Sequence, residues 1–130
     1  MDTLRIPVIL LFLARGVSPA QALSGDWGGE HVSLQVTAAG GTVEFDCAHG
    51  DITGRVLLDR RARFDVPGTY VEEHGGPARM GEPARSLRVR YAGRVTNGRM
   101  TLTVTRTDTK ARLGSFTLER GREPTLMKCR

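Results

Sequence analysis

The sequence has few of the features that mark the common functional classes. Aromatic residues make up only 5% of the chain and do not alternate with its arginines, which argues against a stacking surface for nucleic acid. The two cysteines do not form a C-x-x-C redox motif. No apolar run reaches the about 20 residues of a transmembrane helix, and no serine lies in a recognisable nucleophile motif. The sequence therefore predicts a protein that is not an enzyme, binds no nucleic acid, needs no cofactor and has no membrane span after processing.

The first 22 residues have the organisation of a secretory signal. Arg5 precedes an apolar run from Ile6 to Ala14, and a stretch of small residues ends at Ala20-Gln21-Ala22. A charged start, a short apolar run and an A-x-A-like site are the three parts of a cleavable signal peptide. We therefore expect residues 1–22 to be removed and residues 23–130 to form one secreted or periplasmic domain, monomeric and large enough for a single core.

Cys47 and Cys129 both lie in the predicted mature domain. Export to an oxidising compartment favours their pairing as a disulfide, with two buried free thiols as the alternative. The bridge would close nearly the whole domain, and the loss of chain entropy in the unfolded state would then contribute about 4 to 5 kcal/mol to stability.

Apolar and polar residues alternate with a period of two in the mature part, which indicates β-strands. In a first hairpin, pairing Val36 with Val43 places Val32 opposite Cys47 on the apolar face. In a second, Leu58 is opposite Phe64. The dipeptide Asn97-Gly98 is the signature of a two-residue type I′ turn, and it pairs Val95 with Met100, Gly93 with Leu102 and Tyr91 with Val104.

Two further strands are predicted over residues 113–120 and 125–130, which brings the total to about eight. Eight short antiparallel strands joined mostly by tight turns favour an all-β fold, a small up-and-down barrel. Glycines recur at inward positions and would permit the curvature that closure requires: Gly54, Gly68, Gly93 and Gly114. A β-sandwich is the alternative.

The start of the mature chain resembles that of lipocalin-like barrels, the calycin group that includes lipocalins and avidins. The resemblance rests on the G-x-W motif at Gly25-Asp26-Trp27. It implies that Trp27 plugs the closed end of the barrel and that a late arginine packs over it, for which Arg120 is the matching candidate. The chain is much shorter than a lipocalin, which argues against a large apolar cavity.

The whole mature chain is also similar to an uncharacterised group of small secreted bacterial proteins. The shared strings are W-G-G-x-H from Trp27 to His31, D-C-A-H-G from Asp46 to Gly50, E-H-G-G-P from Glu73 to Pro77, M-x-L-x-V from Met100 to Val104, and K-C at Lys128-Cys129. This resemblance implies secretion and a disulfide, and it carries no assigned activity.

Two groups of residues are candidates for binding. His31 is predicted on the outward face of the first strand, and His49 follows the next strand near the same end, so together with nearby carboxylates they form a candidate metal site. The long connection over residues 72–84 is the candidate binding loop, with Glu73, His74, Gly75, Gly76 and Pro77 at its centre.

The net charge of +5 is unevenly distributed, because acidic residues predominate before about residue 78 and basic residues after it. This asymmetry has two interpretations: charge complementarity between neighbouring strands, or a basic face for anionic envelope polymers, formed by Arg85, Arg88, Arg90, Arg94 and Arg106. The leading functional hypothesis is a secreted binding module that presents its long loop, and a small open end, to an unknown protein or small ligand. The alternatives are a small metal-binding protein and the basic-face binder.

Overall fold

A computed structural model of the protein describes residues 21–74 and 85–129. The predicted signal up to residue 20 and most of the candidate loop, including Gly75, Gly76 and Pro77, lie outside these residues. The described chain forms ten strands and is all-β. The strands are β1 Gln21–Ala22, β2 Gly25–Gly29, β3 Val32–Thr37, β4 Gly40–Phe45, β5 Ala48–Thr53, β6 Leu57–Leu58, β7 Arg63–Glu72, β8 Ser86–Thr96, β9 Arg99–Arg106 and β10 Arg112–Arg120.

Eight of these strands close into an antiparallel barrel in the order β10-β2-β3-β4-β5-β7-β8-β9, and β10 completes the circle by pairing with β2. The predicted barrel is therefore confirmed and the sandwich alternative is wrong. We call one end of the barrel the base; it carries the β3–β4 turn, the β8–β9 turn and the separate two-stranded pair of β1 with β6. The opposite end, with the β2–β3 and β4–β5 turns, is the mouth.

The β8–β9 hairpin has the register that the sequence predicts. Val95 pairs with Met100, Gly93 with Leu102 and Tyr91 with Val104. Asn97 and Gly98 both have positive φ values, +51° and +74°, as a type I′ turn requires. This turn leaves no freedom in the pairing of the strands that flank it.

The first hairpin, β3 with β4, differs from its predicted register by two residues. Val36 pairs with Gly41, and Val32 is opposite Phe45 rather than Cys47. A shift of two residues keeps every side chain on its predicted face, so the apolar alternation could not detect the error. The consequence is local: Cys47 leaves the inward face and becomes an exposed residue between β4 and β5.

The second predicted hairpin is wrong at its tip and, by two residues, in its register. Ile52 on β5 pairs with Gly68 on β7, and the chain leaves the barrel between the two strands. Leu57 and Leu58 form β6, which pairs with Gln21 and Ala22 instead of extending β5 toward Phe64. Gly54 is consequently outside the barrel wall, whereas the other three predicted inward glycines lie within its strands. β1 consists of the last two residues of the predicted signal segment.

Two further predictions, for His31 and for the segment from Thr125, are wrong, although the number of barrel strands is right. His31 is not in a strand; it has a φ of +69° in the tight turn between β2 and β3. The segment from Thr125 forms no barrel strand, and β2 takes that place in the circle. Instead, residues 121–129 run back along the outside of the barrel beside β2, and we call them the strap.

Apolar side chains fill the barrel interior. Trp27, Leu34, Met100, Leu102 and Leu118 are at most 1% exposed and belong to one continuous core cluster. Each of three inward glycines lies beneath an aromatic ring, since a Cβ would meet Tyr91 at Gly68, Phe64 at Gly93 and Phe116 at Gly114. Close ring–glycine packing lets a small barrel hold large aromatics.

Candidate functional site

The base of the barrel is sealed by an aromatic ring and an arginine. Trp27 is 1% exposed, and its indole Nε1 donates a hydrogen bond to the Ser24 carbonyl at 3.3 Å. Arg120 is directly opposite Trp27 across β2 and β10, and its guanidinium carbon lies 4.6 Å from the ring centroid. Such a cation–π contact is stabilised by the negative face of the indole. Leu23 and Val56 are buried beside this end, and the Leu23 amide donates to the Val56 carbonyl.

The mouth carries apolar side chains that are not sealed from solvent. Phe45 is buried at the centre of three rings, 5.3 Å from Tyr70 and 5.1 Å from Phe116 between centroids, both in tilted geometry. Tyr70 and Phe116 are only partly buried, and so is Leu87, which is paired with Tyr70. Partial burial raises the pKa of Tyr70, with a further contribution from Glu72. Its phenol is therefore neutral at physiological pH and can donate a hydrogen bond.

The strap is fastened to the mouth at Asp46. The Asp46 carboxylate accepts a hydrogen bond from the Met127 amide at 2.8 Å, and its carbonyl accepts one from Cys129 at 3.1 Å. The Met127 bond, assisted by His31 Nδ1 at 2.6 Å, lowers the pKa of Asp46. Beside these contacts, Cys47 and Cys129 form the predicted disulfide, with Cα atoms 5.1 Å apart. The end of the strap is thus joined to the β4–β5 turn at the rim of the mouth.

Lys128 turns its ammonium group back onto the same rim. It contacts the carboxylates of Glu73 at 2.7 Å and Glu44 at 2.8 Å, and donates to the Phe45 carbonyl at 2.9 Å. Partial burial opposes its charge, but the two carboxylates outweigh that effect and raise the pKa of Lys128. Lys128 in turn lowers the pKa of Glu73. The Glu73 carboxylate also lies 3.3 Å from Nδ1 of His49. These rim charges are mutually compensated and lie beside Phe45, whose carbonyl accepts the Lys128 hydrogen bond.

Comparison with known families and curated and solved proteins finds no match. Only the sequence and the arrangement of its side chains therefore indicate a function.

The two histidines predicted as metal ligands each have a carboxylate of their own. His31 pairs with Asp46 and His49 with Glu73. Within residues 21–74 and 85–129, no group of three or more histidine, cysteine, aspartate or glutamate side chains is arranged to hold a metal ion. A site built from His31 and His49 stays a prediction.

Of the candidate loop, residues 72–74 are described, and Glu72 is the last residue of β7. Glu73 belongs to the rim, and His74 is exposed. No helix in the described part of the chain has the length and hydropathy to cross a membrane.

Ion pairs between the two halves of the chain neutralise part of the charge asymmetry. Arg90 contacts Asp65 at 2.7 Å on the neighbouring strand, Arg85 lies 3.7 Å from Glu72, and Lys128 joins Glu44 with Glu73. In each case a basic residue of the second half meets an acidic residue of the first. The first of the two predicted interpretations, charge complementarity, therefore accounts for these three cations.

The sequence pattern did not predict that the three mouth aromatics meet. Their meeting depends on barrel closure, which sets Phe45 of β4, Tyr70 of β7 and Phe116 of β10 side by side. The role of Lys128 was also missed. Its adjacency to Cys129 was the only available signal, because a disulfide to Cys47 brings its neighbour to the β4–β5 turn.

Proposed function

We propose that this protein is a non-enzymatic binding module that acts outside the cytoplasm and binds its partner at the mouth of the barrel. The observation that carries the proposal is the difference between the two ends. At the base, Trp27 is sealed under Arg120, whereas at the mouth Tyr70 and Phe116 remain partly exposed around Phe45. Partly exposed aromatics inside a rigid frame are the usual anchors of recognition.

The partner that suits this mouth is one that inserts a small apolar group. The filled interior leaves room for a shallow insertion only, such as a hydrophobic side chain of a protein or the apolar end of a small ligand. The neutral Tyr70 phenol offers one directional hydrogen bond, and the charged rim of Lys128, Glu44 and Glu73 would surround the contact. An apolar centre with a polar rim is the anatomy of a protein–ligand interface.

A non-enzymatic role is supported by what the rim carboxylates already do. Asp46 holds the strap and Glu73 holds Lys128, and both have lowered pKa values. A carboxylate that stays ionised in an ion pair is a poor general acid at neutral pH. Secretion is supported by the signal-like first segment and by the disulfide.

Site-specific photo-crosslinking in cells that export the protein tests this proposal. A photoreactive phenylalanine analogue replaces Tyr70 at the mouth or, as the matched control, Thr117, an exposed outward residue on β10. We expect a discrete adduct from position 70 and none from position 117, with both proteins exported and oxidised. Equal labelling at the two positions, or no adduct at position 70, would contradict a binding mouth.

A further inference from the structure

The β8–β9 hairpin at the base carries basic charge that the barrel does not compensate. Arg94 is directly opposite Arg63 on β7 and opposite Thr101 on β9. Four residues earlier on the same face, Arg90 meets Asp65 in a 2.7 Å ion pair. Like charges directly opposite each other on a sheet are destabilising, and of these two arginines only Arg63 has a carboxylate partner among the described residues, Asp59 at 3.6 Å.

The segment beside Arg94 contains several arginines and one carboxylate, Asp59, which lies 3.6 Å from Arg63. The Val95 amide donates to the Ala62 carbonyl at 2.9 Å, which holds the arginine-rich turn before β7 against this hairpin. Within the described ranges, Arg94 makes no ion pair, and Arg99 reaches Glu119 only at 3.5 Å. Among the described residues at this end, Asp59 pairs with Arg63 and Glu119 with Arg99, whereas Arg94 lies in no ion pair.

The same hairpin forms a shallow cleft of about 420 Å³, and every residue lining it offers a hydrogen-bond donor. The lining consists of Arg94, Thr96, Asn97, Arg99 and Thr101. The lining thus includes two arginines, two threonines and one asparagine, whose side chains carry guanidinium, hydroxyl and amide donors. The type I′ turn at Asn97-Gly98 fixes the two strands that carry them.

We infer that this hairpin cleft binds a phosphoryl group. A guanidinium presents parallel N–H donors that match two oxygens of a phosphate, and hydroxyl and amide donors satisfy the remaining oxygens. The phosphate can belong to a small soluble molecule or to a lipid headgroup, because both present the same oxygens.

Titration of the isotope-labelled domain with pyrophosphate, followed by amide chemical shifts, tests the inference. We expect the largest shifts at residues 94–101. Arg94→Gln should weaken binding about tenfold, the loss expected for one charge-assisted contact. Arg88→Gln is the matched control, since Arg88 is also an exposed arginine on β8 but lies toward the mouth, opposite Thr69. It should change the affinity less than about twofold.

Co-sedimentation with vesicles of phosphatidylcholine, with and without phosphatidylglycerol, separates the two sources of phosphate. Binding of pyrophosphate without retention on anionic vesicles assigns a soluble ligand, whereas retention that Arg94→Gln abolishes assigns a headgroup. No shift at residues 94–101 with either probe overturns the inference, as does equal weakening by Arg94→Gln and Arg88→Gln. Retained amide shifts of Asn97 and Gly98 in both variants show that the hairpin is intact.

Discussion

Removing the Cys47–Cys129 disulfide by a double serine substitution should cost a large part of the domain's stability. The two cysteines are 82 residues apart. For a loop of that length, the chain-entropy relation gives about 4.5 kcal/mol at 25 °C. Domains of this size are stable by only about 5 to 15 kcal/mol. The disulfide is therefore expected to contribute a third or more of the total.

The native contacts of the strap determine how much of this loss is observed. In the double serine variant, the backbone amides of residues 127 and 129 can still donate to Asp46, and the strap can still pack over Gly28, where a Cβ would overlap the Arg122 carbonyl. The folded state then changes little, and the main effect is greater freedom of the unfolded chain. We therefore expect a loss of about 3 to 5 kcal/mol, with the fold preserved.

Urea unfolding followed by the fluorescence of Trp27 measures this loss, because Trp27 is the single tryptophan and is buried. The oxidised wild type is the reference, and a chain ending at Pro124 is the control that removes the end of the strap together with the disulfide. This shorter chain should be less stable than the double serine variant. A loss below about 1 kcal/mol in the double serine variant would refute the reasoning.

Three further substitutions test separate parts of the fold. Gly93→Ala places a Cβ 2.5 Å from the ring of Phe64 and should cost about 1 to 3 kcal/mol in urea melts, and adding Phe64→Leu should recover part of it. Arg120→Met removes the cation from the Trp27 ring and should cost about 0.5 to 1 kcal/mol in the same melts, with a change in indole emission. Asp46 has a lowered pKa, so its contribution is full above about pH 4, the unfolded value, and is lost as the pH falls through the folded value. Asp46→Asn should therefore be less stable than wild type at pH 7 and lose less on acidification, as melts at pH 7 and pH 3 would show.

Most of the barrel could be predicted because period-two alternation fixes the face of each residue. Where turn chemistry was explicit, as at Asn97-Gly98, the register followed as well. At the first hairpin, Ala38 and Ala39 carry no comparable signal, and a two-residue slip preserves every face. The apolar–polar alternation determines which side chains are buried, and the turn residues determine which residues pair across two strands.

The parts that could not be predicted depend on contacts between distant segments. The strap follows β2 because Gly28 permits its close approach, and nothing near Thr125 in sequence indicates a parallel contact with Glu30. The pair of β1 with β6 is of the same kind. The mouth also depends on distant contacts, because the strap places Lys128 at the rim and barrel closure brings the three rings together.

The most direct test of the binding mouth is hydrogen–deuterium exchange of the exported protein with and without extract from its own envelope and culture medium. The account predicts slower exchange at the mouth ends of β7 and β8, residues 69–72 and 86–89, with no change in β2 at Trp27. Protection confined to the base, or exchange unaffected throughout the barrel, would contradict it.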